Sequence, residues 1–365
     1  MLSAEGCRQR RQQFWELLDP KPDTDHVRLA DPIHLMYLAN FHVDPFHFSG
    51  NFGGYLIVRS DGHAKLIHDD RLPDSVQDAH VDERVVIPWY DGQSPGQGPR
   101  QLVLLESVNP NVPGGFRIHD RPGDPIGKQI ITTLAQMRRQ KTEEEISIFQ
   151  QCCRACDAGH KWARESIQPG MTELDVYNGV ATACIQTVGY PVIVYGDFAV
   201  SPGTARRGGP PTRNVLKNGD MFILDYSVVI AGYRCDYTNT LVVGKNPNPD
   251  QQRLYDLCRE AMSVGESEIR AGSDCREIFH KANQVFEREH MAEHFPHHLG
   301  HGLGLTHPEA PYLVRHATDT LMAGDIITLE PGLYVDGIGG IRIENNYLIT
   351  ENGYKKLSGH DIVLC

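Results

Sequence analysis

No apolar run in the chain approaches the roughly 20 residues a membrane-crossing helix needs, so nothing is expected to span a membrane. Basic residues are the minority: 35 Lys and Arg stand against 47 Asp and Glu, a formal net charge of -12. That balance argues against nucleic acid and anionic membrane as partners. The first residues, MLSAEGCRQRRQQFWELL, carry basic side chains but no apolar core of signal-peptide length. The nine cysteines are odd in number and irregular in spacing, which fits reduced thiols in a cytoplasmic protein rather than a disulfide framework. There is no short-period repeat. With 40% hydrophobic and 22% charged residues, the 365-residue chain has the composition of a soluble globular protein and the length of two domains.

The last third carries the chemistry. Asp225 and Asp236 lie in FILDYSVVIAGYRCDYT, His301 in HHLGHGLGLTH, Glu330 in TLEPGLY and Glu344 in GGIRIENNYLI. Two Asp, one His and two Glu make a ligand set for a pair of divalent metal ions, since carboxylates bridge cations and offset their charge. The apolar, β-branched runs 222–230 and 240–243 flank Ala231-Gly232 and predict a β-hairpin. Asp225 and Asp236 are centred near 230–231, so they are expected to be cross-strand neighbours on one face. Glu330 and Glu344 repeat the device around Gly337, with Arg342 on the same strand face as Glu344. Any one of these acids alone reads as an exposed, turn-proximal residue. Two such hairpins with a glycine-flanked His between them read as a metal centre. Thr238, two residues after Asp236, is expected to share its face and orient it. The oxygen-rich set suits manganese, iron(II) or cobalt and accommodates zinc.

Upstream, residues 7–20 read as an amphipathic helix, and YLIVR and AKLIH around Ser-Asp-Gly as a hairpin. LVLLE, 102–106, reads as a buried strand. Residues 1–122 thus predict a small α/β domain, with 120–128 (DRPGDPIGK) as linker and 129–365 as the catalytic domain. Helices dominate 129–190, the longest candidate running from Ile131 to Ile167, and Thr172 with Asp175 opens the next in a capping box. A further helical region covers 250–290. Cys152, Cys153 and Cys156 include a C-x-x-C but lack a thioredoxin-like context, and read as small apolar residues on a helix face.

D-x10-D, GHGLGL, LEPGLY and GGIRIE, in this order, resemble the metallopeptidase family of prolidase, aminopeptidase P, methionine aminopeptidase and creatinase. The stretch KTEEEISIFQQ…PGMTELDVY is similar to that family's helix entry. The resemblance implies an α/β pita-bread catalytic domain of pseudo-twofold design, a smaller creatinase-like N-terminal domain, and a homodimer in which that domain helps close the site. It implies a dinuclear centre, manganese first among the candidates, held by Asp225, Asp236, His301, Glu330 and Glu344. Activity would be hydrolysis of Xaa-Pro bonds in short peptides by a hydroxide shared between the ions, with Glu330 as general base. His297 would line the substrate pocket, His307 would serve as the active-site His beyond the ligand, and Arg342 would hold a substrate carboxylate.

Two departures bear on the substrate. The family's prolidases carry a His seventeen residues before the first metal Asp, and here that position is Gly208, preceded by Arg206 and Arg207. The loop is otherwise in register, with Pro211, Thr212, Leu216, Gly219 and Asp220 in place. The glycine is expected to open space, and the arginines to favour a substrate with an anionic end. Pro308 occupies the usual place of the second His, with His307 one residue earlier. A non-peptidase hydrolase or lyase of a small amide or amidino compound, as creatinase exemplifies on this scaffold, is therefore the alternative. A binding protein without catalysis is the third reading, and the intact ligand set weighs against it.

Overall fold

A computed structural model of the chain describes all residues except 44–45, 47–52, 72–76, 90–91, 93–97, 109–116 and 205. The chain divides into two compact units, Met1–Arg138 and Arg139–Cys365.

In the first unit, helix α1 (Ala4–Leu17) begins at Ser3, whose side chain accepts a hydrogen bond from the Gly6 amide. It buries Cys7, Phe14 and Trp15. Strands β1 (His26–Leu29), β2 (Gly54–Arg59), β3 (Ala64–Asp69) and β4 (Glu83–Ile87) form one sheet in chain order. The β2–β3 pair is the expected hairpin, and β4 joins β3 in parallel. Helices α2 (Pro32–Ala39), α3 (Arg100–Val108) and α4 (Gly127–Met137) complete the unit.

The stretch 102–106 is thus helical, not a strand. Arg100, Val103 and Leu104 are buried while Leu102 is 49% exposed. That is the i, i+3, i+4 burial of a helix face, which a short apolar run does not distinguish from a strand.

The second unit is built from two helix pairs and antiparallel strands. Helix α5 (Glu143–Ser166) starts at a capping box between Thr142 and Glu145, and α6 (Glu173–Val188) at one between Thr172 and Asp175. The first box explains why Ile131–Ile167 is two helices rather than one: it starts a new helix five residues after Met137. The pair packs on β5 (Ile193–Val200), β6 (Met221–Ile230), β7 (Tyr233–Arg234) and β8 (Tyr237–Val242), with β6 central. Cys152, Cys153 and Cys156 are buried free thiols on α5, and Cys152 Sγ donates to the Tyr233 carbonyl at 3.3 Å. They serve as packing residues there.

The second helix pair is α7 (Pro249–Glu268) and α8 (Cys275–Arg288). With them stand β9 (Gly300–Gly302), β10 (Glu309–Leu313), β11 (Ile326–Leu329), β12 (Gly332–Val335), β13 (Gly339–Arg342), β14 (Asn345–Thr350) and β15 (Gly353–Lys356). Five of these strands form a sheet in the order β10-β9-β11-β14-β15, and β12-β13 is a separate ribbon. One apolar cluster joins Leu254, Leu257 and Met262 of α7 and Ile278, Phe279 and Phe286 of α8 to Ile327, Leu329, Leu333 and Ile341 of the strands. At about 25 cal/mol per Å² of apolar surface, burial of this kind is what fixes the strands that carry the acidic residues. Among the described residues no helix is long and apolar enough to cross a membrane.

Candidate metal centre

The β6–β8 hairpin turns at Ala231-Gly232, both with positive φ (50° and 83°), the signature of a tight two-residue turn. Val229 pairs with Arg234 and Asp225 with Thr238. The register is therefore shifted by two residues from the sequence expectation, which placed the centre too early. Asp236 does not face Asp225. It sits between β7 and β8 beside Ser227, whose Oγ donates to Asp236 Oδ1 at 3.1 Å. A two-residue shift preserves the face, so both carboxylates still point the same way.

The second device keeps its predicted register. Leu329 pairs with Asn345 in the large sheet and Gly332 with Arg342 in the ribbon. Glu330 and Glu344 lie between those two pairings, where the ribbon leaves the sheet. His301 comes from β9, its amide donating to Thr328 Oγ1 at 3.2 Å.

These elements bring the acids and histidines together. Ligand atoms of Asp225, Asp236 and Glu344 lie within 4.8 Å of one another. So do those of His298, His301 and Glu330, and those of Asp236, His301 and His307. His301 Nδ1 lies 3.0 Å from the Gly302 carbonyl, so that nitrogen carries the proton and Nε2 presents its lone pair to the cluster. Burial lowers the His301 pKa and favours the neutral imidazole a metal requires.

The electrostatics are those of an anionic pocket. Burial, reinforced by Glu330, Asp236 and Asp225, drives the Glu344 pKa well up. Burial likewise pushes Asp225 up to about 7, against the opposing pull of Arg342. Burial also disfavours the charge on Glu330, but His298 and His301 more than offset it and hold that carboxyl well below its usual range. For Asp236 the offset comes chiefly from His307, whose Nε2 lies 2.7 Å from Asp236 Oδ2.

His298 was given no role by sequence reasoning. Its Nε2 lies 3.0 Å from Glu330 Oε1, which also accepts from Thr328 Oγ1 at 3.0 Å. Tyr195, Tyr334 and Asp197 were missed as well. The Tyr195 hydroxyl lies 3.2 Å from His307 Nδ1 and accepts from Arg234 Nη1 at 3.1 Å. Adjacency to a ligand in the HHLGH run singles out His298 and the end of the TLEPGLY run carries Tyr334, while nothing local marks Tyr195 or Asp197.

Several expected roles change. Thr238 Oγ1 donates to Glu344 Oε2 at 2.7 Å, not to Asp236, because the register places it opposite Asp225 and next to the Glu344 strand. Arg342 does not hold a free donor pair for a substrate carboxylate: it donates to Tyr334 Oη at 2.7 Å, to Asp197 Oδ2 at 2.5 Å and to Asp225. His297 is packed under the site, with Nδ1 2.8 Å from the His298 carbonyl and Nε2 3.3 Å from the Tyr334 hydroxyl, and burial lowers its pKa to about 4. Arg206 is bidentate on the fully buried Glu173, at 2.7 and 3.0 Å, and Arg207 is exposed. Gly208 leaves no open space, because the Asp197 carboxylate fills it.

A pocket of buried carboxylates and imidazoles on a frame of two helix-backed β-units defines a metal-dependent hydrolase. The sequence matches metallopeptidase family M24 over residues 147–351. An uncharacterized peptidase of Staphylococcus aureus is 32% identical over 354 residues, covering 92% of this chain and 95% of that one. A Staphylococcus haemolyticus uncharacterized peptidase is 27% identical over 351 residues, with the same coverage. Among solved structures, an Xaa-Pro dipeptidase from Bacillus anthracis superposes with a TM-score of 0.78 over 100% of both chains, at 23% identity. The prolidase from Pyrococcus furiosus gives 0.70 at 25% identity, over 92% of this chain and 97% of that one. The chain belongs to metallopeptidase family M24, has the pita-bread fold of these structures and is a metal-dependent peptidase.

Proposed function

We infer that the protein is a dinuclear metallopeptidase that removes residues from short Xaa-Pro peptides, acting as a dipeptidase or aminopeptidase. The observation that carries the reading is Glu344. Its Oε2 accepts from Thr238, while its Oε1 is buried without a hydrogen-bond partner among the described residues, in a group of three carboxylates. Such an oxygen is costly unless a cation sits on it. Asp225, Asp236, His301, Glu330 and Glu344 fit a pair of divalent ions by donor type and mutual distance. Manganese is the first candidate, with cobalt, iron and zinc as the alternatives.

When bound, the ions polarise the scissile carbonyl and lower the pKa of water to the neutral range. The protein's own groups do the rest. Glu330, held ionised by His298 and His301, accepts the proton on its carboxylate. His298, whose Nε2 is hydrogen-bonded to Glu330 Oε1, is placed to give its own Nε2 proton to the leaving nitrogen and to recover one from Glu330. His307, anchored through Nε2 to Asp236 and contacting Tyr195 through Nδ1, has its ring centroid 4.9 Å from that of His301 and would help orient a substrate carbonyl there. A second copy of the chain would pair with this one as a homodimer, as the resemblance implies, and the cytoplasm would be its compartment.

A second reading, hydrolysis or lysis of a small non-peptide amide or amidino compound, is favoured by one observation. Position 208 is Gly, with the Asp197 carboxylate where a loop His would project. A panel of Xaa-Pro dipeptides and tripeptides assayed with manganese, cobalt and zinc separates the two. Release of proline or of the N-terminal residue supports the peptidase. No cleavage of any peptide by protein carrying about two ions per chain favours the second reading.

A further inference from the structure

Asp197 of β5 and Asp225 of β6 are directly paired across the sheet. Neighbours so placed share a face, and like charges there repel. One cation lies between them: Arg342 donates through Nη2 to both Asp197 Oδ2, at 2.5 Å, and Asp225. The guanidinium has little freedom to do otherwise. Its Nη1 is bound to Tyr334 Oη at 2.7 Å, and the Arg342 backbone is tied twice to Thr240 Oγ1, at 3.0 and 2.8 Å. Asp197 is fixed from its far side by the Gly209 amide, which donates to Oδ1 at 2.7 Å. This position exists only because residue 208 lacks a side chain. A Cβ there would stand 1.9 Å from Asp197 Oδ2 and 2.3 Å from its Cγ.

We propose that Asp197 is the counter-charge of Arg342, a positioning residue that keeps Asp225 available to a divalent cation, and that Gly208 is glycine to make room for it. With both carboxylates present the trio carries a net negative charge, and Arg342 is shared. Remove the Asp197 charge and Arg342 pairs with Asp225 alone, a neutral couple that repels an incoming cation through the buried guanidinium. The proposal rests on the metal-centre reading above, yet its test does not require turnover.

The experiment is manganese titration of chelator-stripped protein, read by calorimetry and by the rise in Tm, for wild type, Asp197→Asn, Gly208→Ala and the double variant Asp197→Gly/Gly208→Ala. Asp197→Asn keeps the shape and removes the charge; it is expected to weaken manganese binding about tenfold or more while leaving the metal-free Tm nearly unchanged. Gly208→Ala keeps the charge and expels it; it is expected to lose a similar factor. Because Asp197→Gly empties the space, the double variant is expected to bind no worse than Asp197→Asn. Wild-type affinity in Asp197→Asn overturns the proposal even if Gly208→Ala fails to fold. So does a metal-free Tm that drops in Asp197→Asn with no change in affinity, which marks a purely structural role. A wild-type protein that takes up no manganese overturns this proposal and the metal centre together. One that binds manganese but cleaves no peptide removes only the peptidase reading.

Discussion

Thr238 Oγ1 donates to Glu344 Oε2 at 2.7 Å and leaves Oε1 of the same carboxylate, 1% exposed as a residue and grouped with Asp225 and Asp236, without a donor among the described residues. A group in that position opposes folding when no cation is bound and supports function when one is. Glu344→Gln is therefore expected to raise the stability of chelator-treated protein, by about 1–3 kcal/mol, because it removes a carboxyl that burial among other acids forces to take up a proton on folding. The same change is expected to lower metal affinity and activity. Urea denaturation with and without chelator measures both arms. A variant that is less stable than wild type in chelator would show that Glu344 is already compensated.

Glu330 and His298 form the second testable pair. Glu330→Gln removes the proton acceptor and a metal ligand together and is expected to reduce kcat by about 100-fold or more. His298→Ala leaves every expected ligand in place and is expected to cost kcat about tenfold, with metal content unchanged. Metal analysis beside steady-state kinetics distinguishes them. Loss of metal in His298→Ala would make it a ligand rather than a proton carrier.

Arg206 reads from sequence as a substrate contact, but in the structure its guanidinium lies on Glu173, which also accepts from Thr212 and the Val200 amide. Arg206→Ala is expected to destabilise the protein by about 3 kcal/mol, since it leaves a buried carboxylate without its cation. KM for peptides is expected to hold. A raised KM at unchanged stability would restore the substrate-binding role.

The pH dependence follows from two buried imidazoles away from the centre. His160 and His360 stack against Tyr237, and each has Nε2 close to a backbone carbonyl, of Tyr237 and Thr238 respectively. Burial pushes His360 down to about 4 and His160 well below its ordinary value. The unfolded chain protonates them near pH 6.5, while the folded chain keeps His360 neutral down to about pH 4 and also resists protonation of His160. Both therefore contribute stability above pH 6.5 that is lost as pH falls through that window. His360→Gln lacks this penalty, so it is expected to gain about 2 kcal/mol on wild type between pH 7 and pH 5. Chemical denaturation of both proteins at the two pH values checks it; a constant difference would place His360 in water.

The centre was legible because its residues are tied to local signals. Glu330 and Glu344 fall symmetrically about Gly337, and the pairing of Gly332 with Arg342 keeps that symmetry. The Asp225 hairpin was placed two residues off, since the positive-φ turn sits at Ala231-Gly232 itself and apolar runs alone do not fix register. Arg342 illustrates what was not legible. Its partner Asp197 comes from a strand 145 residues away, and no spacing rule connects the two, whereas Tyr334, eight residues off, is its diagonal neighbour in the β12–β13 ribbon. Gly208 looked like vacant space for the same reason: its neighbour Asp197 is eleven residues upstream on β5, and only the loop's return to that strand fills the gap. Gly208→His is accordingly expected to displace Asp197 rather than to add a working histidine.

The most direct test of the account is proline release from a Xaa-Pro dipeptide panel by one preparation in three states: as purified, stripped by chelator, and reloaded with manganese. The account predicts turnover that vanishes on stripping and returns when about two ions per chain are bound. Undiminished cleavage by the stripped protein, or no cleavage of any Xaa-Pro peptide by the reloaded one, would contradict it.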